Sequence, residues 1–163
     1  ALAELTRRYF TSHGPATVRD FVWWSGLTVT RARQGIDLLG RELKRALMHD
    51  REYWSAAGGR AATMPVNRAW LLPNFDEYFI AYKDRDAVMS ASAQRSGVLG
   101  NPLLANGAHP HLLMIDGLLA GTWGHIRTTK AMRVEIKPFR KLSPVSSETV
   151  DRAIADYLRF VGQ

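Results

Sequence analysis

The side chains best placed for chemistry in this sequence are cations and amides suited to a phosphate backbone and its bases. Arg31, Arg33 and Gln34 lie within one short stretch, and Lys44, Arg45 and Arg51 follow it. Arg31 and Gln34 suit the edges of guanine and adenine in a major groove. Asp37 and Leu38, close by, pull the other way: a carboxylate repels phosphate, and an exposed leucine suits a protein contact. Catalytic candidates are thinner. Asp76-Glu77 beside Tyr78 offers an acid and a base without a spaced partner, and after Pro73 and Phe75 an aspartate equally satisfies backbone N–H groups in a tight turn. His109-Pro110-His111 has no cysteine or neighbouring carboxylate to complete a tetrahedral set, so no metal is expected. His125 beside Arg127 can meet a phosphate or simply sit half-exposed on a strand. Gly58-Gly59 and Gly97 lack the strand–glycine–helix setting of a phosphate loop, which argues against a nucleotide site and leaves no organic cofactor to expect.

Composition narrows the partner. The 163 residues carry a formal charge of +7, and clustered Lys and Arg favour an anionic surface because they release counterions condensed on it. Residues 1–57 hold nine Lys/Arg against six Asp/Glu and residues 106–163 hold eight against five, so both ends are basic while the middle is nearly neutral. A solvated basic surface without a nucleic-acid role gives the same count. The absence of cysteine excludes disulfides, zinc ribbons and thiol catalysis and fits a reducing compartment. No apolar run approaches the roughly 20 residues of a membrane span, and no segment is laid out as a secretory signal. A cytoplasmic protein is expected. The chain opens at Ala1, without an initiator methionine and already inside an apolar helical pattern, which suggests a fragment.

Residues 7–39 carry the clearest local punctuation. Leu2, Leu5 and Tyr9 line one face of a first helix that Gly14-Pro15 ends; Thr17, with Asp20 three positions on, caps a second; Ser25-Gly26 closes it before Thr28 or Thr30 opens a third. On the second helix Val18, Phe21, Val22 and Ser25 share the inner face, leaving Trp23 and Trp24 in need of another surface, whether a packed domain or an unpaired base. On the third, Val29, Ala32, Ile36 and Leu39 form the inner stripe, while Thr30, Arg31, Gln34, Asp37, Leu38 and Arg41 face outward. Leu43 to Trp54 reads as two short strands around a polar turn at His49-Asp50.

Residues 55–69 are small and aperiodic, hence a linker. Trp70 to Tyr82 reads as a strand, a turn and a second buried element, followed by the charged turn KDRDAVM. Residues 90–110 are rich in Ser, Ala, Gly, Asn and Pro and read as a long loop. From His111 the pattern is β: HLLMI, a turn at Asp116-Gly117, then LLAGTWGHI. Thr129-Lys130 leads to a third strand in which Met132, Val134 and Ile136 alternate with Arg133, Glu135 and Lys137. Val150, Ile154, Tyr157, Leu158 and Val161 give a last helix, with Ser146 or Ser147 as its cap.

YFTSHGPATVRDFVWWSGL at 9–27, LLPNFDEY at 71–78 and IDGLLAGTW at 115–123, in that order and spacing, resemble the C-terminal half of bacterial winged-helix proteins related to crosslink-repair and alkylpurine DNA glycosylases. The resemblance spans nearly the whole chain. It implies tandem winged helices around a β-barrel-like part, acting on duplex DNA without metal or organic cofactor. It also implies a catalytic pair of glutamines one residue apart. The glutamines here are Gln34, Gln94 and Gln163, so no pair matches and no catalytic residue is carried over. Base excision would then belong to an N-terminal winged-helix segment outside these residues.

The expected fold is α+β: a winged helix-turn-helix at 1–57, a linker at 58–69, and a mixed domain at 70–163 with a small, barrel-like antiparallel sheet and a C-terminal helix. The expected partner is double-stranded DNA, met by Arg31, Arg33 and Gln34 on or beside the third helix and by Lys44, Arg45 and Arg51 on the hairpin. A transcriptional regulator, or a structural scaffold with no affinity for DNA, fits the same outline.

Overall fold

Short-range hydrogen bonds set the helix boundaries at the start of the chain. Helix α1 (Leu2–Ser12) is followed by α2 (Val18–Ser25), whose Thr17 cap is reciprocal: Thr17 Oγ1 accepts from Asp20 N–H at 3.1 Å and Asp20 Oδ2 accepts from Thr17 N–H at 2.9 Å. Gly26, at φ 70, ends α2 in the left-handed region that glycine adopts without penalty. Thr28 caps α3 (Val29–Leu39). Strands β1 (Leu43–Met48) and β2 (Arg51–Ala56) then form an antiparallel pair, its turn at His49-Asp50 with both residues at positive φ, the backbone of a two-residue hairpin loop. Ala16 and Trp54 exchange backbone hydrogen bonds at 3.0 and 2.8 Å, tying β2 to the chain between α1 and α2.

The computed structural model describes residues 1–59, 66–97, 111–127 and 132–162. The chain divides into Ala1–Ala62 with Glu77–Arg85, and Thr63–Asp76 with Asp86–Gln163. The expected break at 58–69 did not anticipate that Glu77–Arg85 returns to the first unit. The core of that unit is Tyr9, Phe10, Ala16, Phe21, Ala32, Ile36, Leu39 and Leu43, in which each large side chain contributes about 1.5–3 kcal/mol by leaving water. One stripe position differs from expectation: Val29 is half exposed, and Gly35 is buried in its place. Val29 is the first residue of the helix. Gly35 faces Thr6, whose Oγ1 would lie 2.2 Å from a Cβ there, so α1 and α3 approach across a residue with no side chain.

In the second unit, β3 (Ala69–Leu72), β4 (His111–Ile115), β5 (Leu118–Arg127) and β6 (Met132–Pro138) form an antiparallel sheet in that order. Asp116-Gly117 makes the β4–β5 turn with both φ angles positive, as expected. Leu112, Leu113 and Met114 are all buried, so both faces of β4 are covered. Helix α4 (Glu77–Ile80) belongs to the first unit, whereas α5 (Ala91–Ser96) and α6 (Pro144–Val161) belong to the second.

Three expectations need correction. Ala91–Ser96 is a helix capped by Ser90, not loop. Serine here acts through its side-chain cap rather than as a loop former. The cap of α6 is Ser143, accepting from Ser146 N–H at 3.1 Å, because Pro144 takes the first helical position, where its missing N–H costs nothing. Among the described residues β3 pairs with β4 and β6 with β5 but not with each other, so the sheet is open, not barrel-like. The remainder of the expected 90–110 loop, His109, and Thr129-Lys130 lie outside the described residues.

Candidate nucleic-acid interface

The turn between α2 and α3 fixes the angle at which α3 leaves the core. Ser25 Oγ donates to the Phe21 carbonyl at 2.6 Å and accepts from Leu27 N–H at 3.3 Å, and Thr28 Oγ1 accepts from Arg31 N–H at 3.3 Å. With Ala32, Gly35, Ile36 and Leu39 turned inward, Thr30, Arg31, Arg33, Gln34, Asp37 and Leu38 are left exposed. Arg31 Nη1 donates to Gln34 Oε1 at 3.0 Å, so these two candidate base readers lie side by side and preorganise each other. Arg33 is exposed beside them.

The hairpin cations do not share one face. Neighbouring residues of a strand point to opposite sides, and the register pairs Lys44 with Ser55, Arg45 with Trp54 and Met48 with Arg51. Lys44 and Arg51 therefore occupy one face and Arg45 the other. Arg45 is paired with Glu52 at 3.0 Å, and Arg51 with Asp84 of the returning segment. Both pairs are well exposed and add little stability, but each draws a cation toward a carboxylate and away from an anionic ligand. Lys44 is exposed.

Sequence reasoning missed what Glu77–Arg85 does. This segment returns to α1 and α2 and supplies the surface that Trp23 and Trp24 required. Trp23 Nε1 donates to the Ile80 carbonyl at 2.9 Å; Trp24 Nε1 donates to Glu77 Oε1 at 2.5 Å, and that oxygen also lies 3.1 Å from His13 Nε2. Glu77 is thus a clamp between α1 and α2, a poor arrangement for an acid–base residue. Tyr82 Oη donates to the His13 carbonyl at 2.9 Å. Burial pushes the Tyr82 hydroxyl above its ordinary pKa, with the nearby Asp20, Tyr78 and Glu77 adding to the shift, so it remains a donor at neutral pH. The signal was present in the two unaccommodated tryptophans. Nothing local said that the cover lay more than fifty residues away.

The second unit gathers rings around Trp123. His111 and Trp123 are a register pair with centroids 4.6 Å apart; Tyr157 of α6 packs edge-on to Trp123 at 4.9 Å, and its hydroxyl lies 3.2 Å from His125 Nδ1. Trp123 Nε1 donates to the Leu72 carbonyl at 2.9 Å. Burial, then repulsion from His125, lowers the pKa of His111, keeping it neutral. On the outer side of β6, Arg133 pairs with Glu135 at 2.5 Å, and Lys137 is exposed. No helix of the described residues is long and apolar enough to cross a membrane.

Comparison with known proteins gives a consistent result. The family model described as DNA glycosylase AlkZ-like matches residues 1–160. An interstrand DNA cross-link repair glycosylase of Streptomyces sahachiroi is 26% identical over 168 residues, which cover 99% of this chain and 43% of that protein. The solved structure of the Streptomyces sahachiroi DNA glycosylase AlkZ matches with a TM-score of 0.66 at 22% identity, over 94% of this chain and 43% of the other. At that identity the likeness is one of fold: mixed α and β, antiparallel sheets and a C-terminal helix. The chain spans less than half the length of these relatives.

Proposed function

The chain belongs to the AlkZ-like DNA glycosylase family, and on that premise we propose that residues 1–57 are a winged helix that holds duplex DNA for a repair glycosylase. In this reading α3 enters the major groove, with Arg31 and Gln34 toward base edges and Arg33 toward phosphate, while the β1–β2 hairpin is the wing: Lys44 follows the backbone, Arg51 joins it on the same face on leaving Asp84, and Arg45, on the opposite face, reaches phosphate on leaving Glu52. Base excision belongs to a winged-helix segment outside these residues, because the chain holds no paired glutamines and Glu77 is occupied as a clamp. The protein acts in the cytoplasm, on DNA, without a cofactor.

The observation that carries the reading is the exposed outer side of α3, held by a capped tight turn and followed directly by a two-stranded hairpin. A helix that only packed inside a larger core would not present Arg31, Arg33 and Gln34 to solvent together. Candidate phosphate-binding cations outnumber candidate base readers, so binding is salt-sensitive and weakly selective for sequence. Gel-shift titration with random duplexes and with alkylated or bent duplexes tests the proposal. Preference for damaged or bent duplex supports it; preference for one sequence indicates a transcriptional regulator, and no shift indicates a scaffold.

A further inference from the structure

Trp23 offers a surface that the groove and wing residues leave unused. It stands on the outer side of α2, one turn beyond the exposed Arg19, and half of it is open to solvent. Its indole N–H is nevertheless committed to the Ile80 carbonyl at 2.9 Å, and the Lys83 ammonium lies 4.4 Å from its ring centroid. The ring is therefore half exposed and oriented, with Lys83 of the returning segment over one side of it and Arg19 one turn away on its own helix. That combination suits a nucleic-acid strand whose base is out of the stack: a π face for the base and cations for the adjacent phosphates.

We infer that Trp23 is a stacking platform for an unpaired nucleobase, with Arg19 and Lys83 on the phosphates beside it. The inference rests on the winged-helix reading, since the first helix of a helix-turn-helix crosses the DNA backbone while the second enters the groove, and α2 is that first helix. A base already displaced at a bulge or lesion costs least to receive. The chain therefore binds duplex with an unpaired base more tightly than intact duplex, and Trp23 sets the difference.

The test titrates the 163-residue chain against an intact duplex and against the same duplex carrying one bulged 2-aminopurine. Tighter binding of the bulged duplex, with quenching of the 2-aminopurine, is expected. Trp23→Leu removes the platform, so the bulged-to-intact preference falls by about 5- to 150-fold, the range for loss of one base–aromatic stack. Circular dichroism establishes that the variant folds. Should it not, Trp23→Phe, with a smaller ring, lowers the preference part of the way. Equal affinity for both duplexes, or an unchanged preference in the folded variant, overturns the inference while leaving the duplex reading in place. No binding to either duplex overturns both.

Discussion

The Asp20 carboxylate accepts the backbone N–H of Lys83 at 2.8 Å, linking the first turn of α2 to a segment sixty-three residues later. The same oxygen accepts from Asp84 N–H at 3.0 Å, while its partner oxygen takes the N–H and hydroxyl of Thr17 at 2.9 and 2.7 Å. Asp20 is 2% exposed. One buried side chain thus completes a helix cap and fastens the returning segment over Trp23 and Trp24.

Asp20→Ala leaves these donors without an acceptor, and loss of the cap with unsatisfied buried N–H groups costs about 2–4 kcal/mol. Urea unfolding should show it as a lower midpoint with an unchanged slope. Faster hydrogen exchange at Lys83 and Asp84 than in the rest of the first unit locates the effect. A loss below about 0.5 kcal/mol, the range of ordinary surface substitutions, contradicts the clasp.

Gly35→Ala places a Cβ 2.2 Å from Thr6 Oγ1, a side chain fully buried and bonded to the Leu2 carbonyl. Overpacking of this kind costs about 1–3 kcal/mol. Thr6→Ala removes the offending oxygen, so the double variant should recover much of the loss of Gly35→Ala. Strict additivity of the two substitutions in a thermal-unfolding cycle rules out the proposed contact.

These two sites show where the sequence was legible. The Thr17–Asp20 cap, the Gly26 stop, the His49-Asp50 and Asp116-Gly117 turns and the alternation of β6 are decided within a few residues, and so could be read directly. Val29 was misplaced because a period of 3.6 says which residues share a face but not how far along the helix that face stays covered. The second role of Asp20 and the clamp at Glu77 join positions 53 to 64 residues apart. No local pattern encodes such a pairing. Among the candidate site residues, exposure of Arg31 and Gln34 followed from the helix period and that of Arg33 did not, whereas the diversion of Arg51 to Asp84 depended on that unseen return.

His111 gives a pH signature. Its pKa is lowered in the folded chain by burial and then by His125, so the unfolded chain binds the proton more readily. Stability is complete above the ordinary histidine value near about 6.5 and declines as pH falls through the depressed folded value. Urea midpoints followed through tryptophan fluorescence should drop as pH falls below about 6.5, less steeply in His111→Gln. The same slope in both proteins refutes the assignment.

Base excision should be absent from this chain alone. Extracting and cleaving a nucleotide needs a group that activates water or stabilises the departing base, and Glu77 is engaged by His13 and Trp24. Incubation with alkylated or crosslinked duplex, then alkaline cleavage of abasic sites, should give no scission above buffer. Scission abolished by Asp76→Asn or Glu77→Gln would place an active site here.

The most direct test of duplex binding by α3 and the hairpin is the salt dependence of affinity, measured by fluorescence anisotropy on intact duplex. Arg33→Gln with Lys44→Gln removes one exposed cation from each element. The slope of log K against log salt should flatten by about 0.9 for each phosphate no longer neutralised, about 1.8 in all. A slope identical to that of the parent chain would contradict the account and move the DNA surface elsewhere, the β6 face with Arg133 and Lys137 being the next place to look.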